Sequence, residues 1–336
     1  MAGSLVTVSI IGAGFMGSTH AAGYAALGER VRVKTVCARS VERAARVAST
    51  VGAEPSVDVE AVLRDPEVQG VDICLPTPLH REFAEQAFAA GKHVFLEKPI
   101  ALTIDDADAI VAAAERSGRV LMVGLVLRFW PEYVRLQQLV EAGHLGRPRA
   151  VSTQRLSPPA DWADWLGDRE QSGGTALDLL IHDFDRMNAL LGTPQSVYAS
   201  EPEPGHVQAI VEYDGATGIA EGSMKMPRSY PFSSNIRVLG SDGVAEYGFS
   251  ATPVEGERNI GASTSARGLR VYPTGGEMRL EEVESTDPWG LEIEYFVACL
   301  EQGRFPEQGT GDQARQALAV SLAANESLRE GRPVPV

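Results

Sequence analysis

The pattern of hydrophobic and polar positions changes at about residue 124. Before that point, short apolar runs alternate with segments whose apolar residues recur at helical spacing. The apolar runs at residues 5–11, 31–37, 71–75, 93–97 and 120–124 are predicted to be buried strands. Buried strands separated by helices of about ten residues indicate right-handed βαβ units, and therefore a doubly wound parallel sheet.

The predicted helices of this first part cover residues 16–27, 41–50, 79–90 and 104–118. The last of them has the clearest ends. Thr103 is a good N-cap, acidic residues fill the first turn, and Gly118 is placed to end the helix.

After residue 124, extended runs follow one another with few helices between them. Helices are predicted at residues 131–142, 175–191, 291–302 and 313–329, and strands at 149–156, 196–201, 207–213, 218–226, 235–240 and 244–249. The pairs Asp214-Gly215 and Asp242-Gly243 are hairpin signals between strands. The sequence therefore predicts an α/β domain at residues 1–124 and an α+β domain with a large, mostly antiparallel sheet at residues 125–336.

Charge and cysteine content narrow the possible functions. The formal net charge of −15 argues against a nucleic-acid partner, because phosphate binding depends on clustered Lys and Arg. The three cysteines, Cys37, Cys74 and Cys299, are far apart, which favours free thiols in a reducing cytoplasm. The N-terminal stretch lacks a basic region, and no long apolar run is present, so neither a signal peptide nor a membrane segment is expected.

A glycine-rich turn, GAGFMG, directly follows the first strand. Gly12 permits a tight turn, Gly14 lets a pyrophosphate approach the backbone, and Gly17 allows close packing of helix and strand. Phe15 and Met16 lie between the last two glycines. This spacing, with a strand before it and a helix after it, predicts a dinucleotide-binding turn.

The end of the second strand indicates which dinucleotide is bound. NAD sites usually carry an Asp or Glu there for the ribose 2′-OH, whereas this chain has Ala38, Arg39 and Ser40, with no carboxylate before Glu42. An Arg beside a hydroxyl accepts a 2′-phosphate. We therefore expect NADP in preference to NAD, although Arg39 as a solvated surface charge is the alternative.

Three further stretches complete a resemblance to a known family. They are LPTPLH at residues 75–80, EKP at 97–99 and GGTALDLLIHDFD at 173–185. Together with GAGFMG, they resemble the Gfo/Idh/MocA oxidoreductases, a family that includes glucose–fructose oxidoreductase and inositol dehydrogenase. The resemblance covers essentially the whole chain. It implies NAD(P)-dependent hydride transfer from a secondary hydroxyl of a sugar or cyclic polyol, in a homodimer or homotetramer formed through the C-terminal sheet.

The resemblance also implies a catalytic set, Lys98, Asp178 and His182. Lys98 ends a parallel strand, at the edge where open α/β sheets bind ligands, and its charge would favour an alkoxide. Asp178 and His182 are four apart on the predicted helix 175–191, so both would project from one face. His182 is the expected acid/base, and Asp178 is expected to hold the imidazole or to contact the substrate.

Additional residues are predicted to contact the ligands. Pro76, Thr77, His80, Glu97 and Lys98 are the expected cofactor contacts beyond the glycine turn, with helix capping as the alternative for His80.

Arg128 and Tyr230 are the expected substrate contacts beside the catalytic set. Relatives that act on inositol usually have Arg and an acidic residue where this chain has Leu127 and Trp130, which puts inositol itself in question. Other aromatic candidates for a wall against a sugar ring, each with packing as its alternative, are Trp162, Trp165 and Phe232.

Two other functional classes remain open at this point. A non-catalytic regulator would use the dinucleotide site as a sensor, although the intact catalytic set speaks against it. A metal-dependent lyase or hydrolase would use Asp178, His182 and Asp185 as ligands.

Overall fold

A computed structural model describes residues 5–160, 164–251, 265–266, 268–284 and 286–336. The chain divides into two compact units. The first contains Met1–Phe129 and Thr286–Arg315, and the second contains Trp130–Ser285 and Gln316–Val336.

The strands are β1 Val6–Ile11, β2 Val31–Cys37, β3 Glu54–Ser56, β4 Gly70–Ile73, β5 His93–Leu96, β6 Leu121–Val123, β7 Pro148–Leu156, β8 Pro194–Glu203, β9 His206–Tyr213, β10 Ala216–Ser223, β11 Phe232–Gly240, β12 Gly243–Ala251, β13 Ser265–Ala266, β14 Leu269–Pro273, β15 Arg279–Glu281 and β16 Val334–Pro335. The α-helices are α1 Phe15–Ala26, α2 Val41–Val51, α3 Val59–Arg64, α4 His80–Ala89, α5 Ile104–Ser117, α6 Pro131–Glu141, α7 Arg169–Ser172, α8 Gly174–Asp178, α9 Ile181–Leu191, α10 Pro288–Gln302 and α11 Gly311–Glu330. Short 3-10 helices cover Gly28–Arg30, Thr77–Leu79, Val126–Arg128 and Asp164–Gly167.

The first unit is built on a parallel sheet in the order β3-β2-β1-β4-β5-β6, with six strands among the described residues. Every residue of β1 and of β4 is buried, as expected for central strands with helices on both faces. The predicted parallel sheet is confirmed. The sequence reading missed the short β3 and α3, which lie between α2 and β4.

The first unit also includes a segment that the sequence reading assigned to the second domain. Ile293, Phe296 and Val297 of α10 belong to the same hydrophobic core as β1. A Cβ at Gly23 of α1 would lie 2.5 Å from Ile293 Cδ1, so this glycine permits the close packing of α10. The predicted boundary at residue 124 therefore differs from the observed division in two respects: the first unit extends to Phe129, and residues 286–315 return to it.

The second unit contains a sheet in the order β15-β14-β12-β11-β7-β10-β9-β8-β16, with β13 paired to β12, which makes ten strands among the described residues. The β7–β10 pair is parallel, whereas the other pairs are antiparallel. Burial alternates along β9, so one face of the sheet is covered and the other is open. The predicted mostly antiparallel sheet is confirmed, and Asp214-Gly215 joins β9 to β10.

Helix α9 packs on the covered face. A Cβ at Gly218 would lie 2.7 Å from Met187 Sδ, and a Cβ at Gly222 would lie 2.7 Å from Leu180 Cδ2. Under the helix, Arg155 Nε is 2.8 Å from Asp183 Oδ2, and both side chains are buried. These contacts fix α9 against β7 and β10.

The single helix predicted at residues 175–191 is wrong, because the chain forms two helices there. Helix α8 ends at Asp178 and α9 begins at Ile181, with Leu179 and Leu180 between them. Asp178 and His182 therefore do not share one face of a continuous helix. The buried Leu180 side chain, which packs against Gly222, occupies the break.

None of the helices described is both long and apolar enough to cross a bilayer.

Candidate cofactor and catalytic site

The glycine turn closes tightly between β1 and α1. Gly12 has φ +116°, and a Cβ there would lie 2.2 Å from the carbonyl oxygen of Cys74. A Cβ at Gly17 would lie 2.0 Å from the carbonyl oxygen of Gly12. Both positions require glycine, because no side chain fits there.

Gly14 is different, because a Cβ at this position would have no atom within 4 Å. It is exposed and is the N-cap of α1, yet no side chain caps this helix and its first turn has no acidic residue. By contrast, Ser40, Asp58 and Thr103 cap α2, α3 and α5 through their side chains. An uncapped helix N-terminus behind open space fits the pyrophosphate of a dinucleotide. Phe15 and Met16, both partly buried, form the start of this helix.

The end of β2 carries the residues expected to distinguish NADP from NAD. Arg39 is exposed, whereas Ser40 caps α2 by accepting a hydrogen bond from the Arg43 N–H at 3.4 Å. Glu42 is also close to Ser40. Backbone and Ser40 hydrogen bonds hold the pKa of the Glu42 carboxyl below its usual range. The Arg39 side chain is thus accessible to a ligand, whereas the Ser40 hydroxyl already caps α2.

The segment after β4 carries the predicted contacts Pro76, Thr77 and His80. Thr77 and His80 are buried. The His80 Nδ1 lies 2.9 Å from the Pro99 carbonyl oxygen and its Nε2 lies 2.8 Å from the Leu75 carbonyl oxygen. Burial lowers the pKa of His80. This placement favours a role for His80 in holding the neighbouring loop rather than in contacting the cofactor.

Lys98 follows β5 at the carboxyl edge of the parallel sheet and is partly exposed. Its backbone N–H donates to Glu97 Oε2 at 3.0 Å, and the Lys98–Pro99 peptide bond is cis. The Glu97 side chain is buried and is not directed at solvent. Lys98 therefore lies at this edge of the sheet, whereas Glu97, predicted as a cofactor contact, has its described partners within the first unit.

Arg128 lies in a 3-10 helix of the first unit and is largely buried. Its Nη1 donates to Gln308 Oε1 at 2.9 Å, and Gln308 belongs to the same unit.

The remaining catalytic candidates belong to the second unit. Asp178 ends α8 and is buried, and His182 lies in the first turn of α9 and is partly exposed. The predicted catalytic residues thus belong to different units: Lys98 to the first, and Asp178 and His182 to the second.

The predicted aromatic residues are divided between packing and partial exposure. The Trp130 ring stacks on the Phe249 ring, with 4.8 Å between the ring centroids, and the Phe232 ring lies 5.9 Å from the Phe249 ring. Trp130 and Phe232 therefore belong to one aromatic cluster of the second unit. Tyr230 and Trp165 are partly exposed. Trp162 lies outside the described residues.

Comparison with protein families identifies the chain. Residues 6–125 match the model of an oxidoreductase family with an NAD-binding Rossmann fold, and residues 133–246 match the Gfo/Idh/MocA C-terminal domain. The chain belongs to the Gfo/Idh/MocA oxidoreductase family.

Relatives in this family span nearly the whole chain. The scyllo-inositol 2-dehydrogenase (NAD(+)) of Bacillus subtilis is 27% identical, over 98% of this chain and 96% of its own length. The D-xylose 1-dehydrogenase (NADP(+)) 2 of Haloferax volcanii is 29% identical, over 81% and 82%. The aldose-aldose oxidoreductase of Caulobacter crescentus, solved with glycerol, is 26% identical with a TM-score of 0.82, over 99% of this chain and 100% of that one.

The geometry does not support the alternative of a metal-dependent lyase or hydrolase. Among the described residues, Asp178, His182 and Asp185 do not form one of the groups whose ligand atoms lie close enough together to hold a metal ion. Within the described residues, the group that does so is His20, Asp72 and Cys74, whose atoms lie within 4.8 Å of one another. Those three are already joined by hydrogen bonds: His20 Nδ1 to Asp72 Oδ2 at 2.8 Å and Cys74 Sγ to Asp72 Oδ1 at 3.2 Å.

This buried group is not among the sites predicted from the sequence. Two signals were available. Asp72 interrupts an otherwise apolar buried strand, and Glu292 lies on the buried face of α10. A charged residue at a core position generally has a partner, so each predicted a buried polar contact.

Proposed function

We propose that this family member oxidises a secondary hydroxyl of a sugar or cyclic polyol, or reduces the corresponding carbonyl, with a nicotinamide dinucleotide. The observation that supports this most directly is the uncapped N-terminus of α1 behind Gly14, in a chain that retains Lys98, Asp178 and His182. The first feature fits a dinucleotide, and the second provides the groups that an alcohol substrate needs.

The cofactor would be held by the first unit. Backbone N–H groups at Gly14, Phe15 and Met16 would bind the pyrophosphate. The exposed Arg39, with Ala38 instead of a carboxylate, supports NADP as the preferred cofactor. When bound, the nicotinamide supplies the hydride acceptor.

The protein's own groups would handle the hydroxyl proton and the developing negative charge. His182 takes the proton, since a neutral imidazole has a ring nitrogen that can accept it. Lys98 orients the oxygen and stabilises its charge as an alkoxide forms. Asp178 orients the imidazole or contacts a neighbouring hydroxyl. Arg128 and Tyr230 are the further substrate contacts of this proposal.

The open sheet face of the second unit supports self-association. Tyr198, Ile210 and Ile219 are neighbours on β8, β9 and β10, and their side chains are 42%, 41% and 46% exposed. We propose that this face pairs with a second copy of the chain. Sedimentation of wild type and Ile219→Lys tests this: the variant is expected to have half the mass of wild type or less, and equal masses would contradict it.

The three described cysteines are unpaired, and Cys37 and Cys299 are buried. Unpaired buried thiols are typical of a reducing compartment, which supports a cytoplasmic location.

A substrate scan tests the main proposal. Purified protein is mixed with a panel of cyclic polyols and aldoses and with NAD or NADP, and reduced nicotinamide is followed by absorbance, with and without a chelator. We expect turnover with at least one polyol or aldose, faster with NADP, and unchanged by the chelator. Cofactor binding without turnover on any of them would instead indicate a regulatory protein.

A further inference from the structure

A buried cluster of ionisable side chains lies inside the first unit, behind the loop that carries Lys98. It consists of His20 from α1, Asp72 and Cys74 from β4 and the residue after it, Glu97 at the end of β5, and Glu292 from α10. No step of the proposed reaction uses these groups directly. Burying several ionisable groups together is costly unless they are paired, so their arrangement calls for an explanation.

The His20 ring connects two carboxylates. Its Nδ1 lies 2.8 Å from Asp72 Oδ2, its Nε2 lies 3.1 Å from Glu97 Oε1, and its ring stacks on Phe95 at 5.1 Å. Burial lowers the pKa of His20, but the charge and hydrogen bonds of Asp72 and Cys74 outweigh it, so the pKa lies well above its usual value. The raised pKa favours the charged ring, which lies within ion-pair distance of Glu97.

Glu97 links this ion pair to the Lys98 backbone. While Oε1 faces His20, Oε2 accepts the Lys98 N–H at 3.0 Å. The carboxylate lies over Gly124, where a Cβ would be 3.3 Å from Oε1, so a larger residue would crowd it. The backbone of Glu97 is also fixed, because its N–H donates to the Ile73 carbonyl at 3.0 Å.

The far side of the loop is held by His80, whose Nδ1 lies 2.9 Å from the Pro99 carbonyl oxygen. Lys98 thus lies between two anchored positions, the Glu97 carboxylate before it and the Pro99 carbonyl after it.

We propose that Glu97 is a positioning residue for Lys98, and that the buried His20 ring holds the Glu97 carboxylate in the orientation in which it binds the Lys98 N–H. This inference rests on the proposed function, because it assigns Lys98 to the substrate hydroxyl. A loosely held backbone would displace the Lys98 amine, and a displacement of about 1 Å costs roughly 100-fold in rate.

Substituting Glu97→Gln tests this contact with little change in shape. The Glu97 carboxylate has two oxygens, one that accepts the Lys98 N–H and one that lies 3.1 Å from His20 Nε2, whereas a carboxamide has a single oxygen and no charge. Either the Lys98 N–H or the His20 Nε2 would therefore face an NH₂ group. The Lys98 peptide is expected to move, while the glycine turn keeps its structure.

Glu292→Gln is the matched control. Glu292 is fully buried in the same cluster, and burial together with the charge of Glu97 raises the pKa of Glu292 well above its usual value. A raised pKa favours the neutral carboxyl, so a neutral amide is a small electrostatic change at this position. A general disturbance of the cluster would affect both variants, but positioning of Lys98 would affect Glu97→Gln alone.

The experiment compares wild type, Glu97→Gln and Glu292→Gln by melting temperature, Kd for the reduced cofactor, KM and kcat. We expect kcat of Glu97→Gln to fall about 10- to 100-fold with Kd unchanged, and Glu292→Gln to match wild type. An unchanged kcat in Glu97→Gln, or an equal fall in both variants, would overturn the proposal.

Crystal structures of the three proteins separate this proposal from the proposed function. If wild type oxidises no polyol or aldose, the proposed function fails, and the position of the Lys98 peptide becomes the criterion. Displacement in Glu97→Gln alone supports positioning by Glu97. An unmoved Lys98 peptide in that variant overturns it.

Discussion

The two sheets of this protein differ in how they are covered. In the first unit, β1 and β4 are buried along their whole length. In the second, β9 alternates between buried and exposed residues. A parallel sheet needs crossover helices that cover both faces, whereas an antiparallel sheet can leave one face open.

This difference also decides where chemical groups can lie. Both faces of the parallel sheet are filled, so its candidate ligand groups, the glycine turn and Lys98, lie at the carboxyl ends of the strands. In the second unit the proposed catalytic groups lie on the helices that cover the sheet, Asp178 at the end of α8 and His182 at the start of α9. The first unit is thus the cofactor side of the proposal, and the second supplies the acid/base.

The largest loss of activity is expected from a substitution in the second unit. His182→Ala removes the proposed proton acceptor and should lower kcat by about 10²- to 10⁴-fold without changing the Kd for the reduced cofactor. His144→Ala, an exposed histidine of the same unit, is the control and should retain full activity. If His182→Ala retained activity within a factor of about two, the acid/base assignment would fail.

The sequence predicted the first unit better than the second for a physical reason. Gly12 has a positive φ and Gly17 lies against the Gly12 carbonyl oxygen, and such local constraints are visible in a linear motif. The break at Leu179 and Leu180 depends on how Leu180 packs against Gly222 of a distant strand, and helical spacing contains no signal for it.

Long-range packing also explains the domain boundary. The return of α10 to the first unit depends on its fit against Gly23, which no local pattern shows. Similarly, the pairing of His20 with Asp72 and Glu97 joins residues far apart in sequence. The sequence shows that polar residues interrupt apolar runs, but it does not show which residues they pair with.

The next largest loss of activity is expected from a substitution in the first unit. Lys98→Met keeps much of the side-chain volume but removes the charge that would stabilise an alkoxide, so kcat should fall about 10²- to 10³-fold. Cofactor binding should be retained, as measured by fluorescence of the reduced nicotinamide. The exposed Lys225 provides a control, Lys225→Met. Comparable losses in the two lysine variants would remove Lys98 from the mechanism.

A smaller effect is expected at the glycine turn. Gly14→Ala places a methyl group in open space where the pyrophosphate is proposed to lie, and should raise the cofactor Kd about tenfold with an unchanged melting temperature. Gly167→Ala is its match, because a Cβ there also meets nothing within 4 Å. An unchanged Kd in Gly14→Ala would place the dinucleotide elsewhere.

The smallest effect concerns cofactor choice. Ala38→Asp adds a carboxylate beside Arg39 that would repel a 2′-phosphate and accept a ribose hydroxyl, so the ratio of kcat/KM for NADP to that for NAD should fall roughly tenfold. Steady-state rates with both cofactors measure this ratio. A ratio that stays the same or rises would contradict the assignment of Arg39 to the 2′-phosphate.

The central claim is that Lys98 and His182 are the groups that act on the substrate hydroxyl. A crystal structure with the reduced cofactor and the polyol or aldose identified by the substrate scan tests it most directly. The account predicts the Lys98 Nζ and a His182 ring nitrogen each within about 3 Å of the same hydroxyl oxygen, beside the nicotinamide ring. A bound substrate that contacts only one of the two side chains would contradict it.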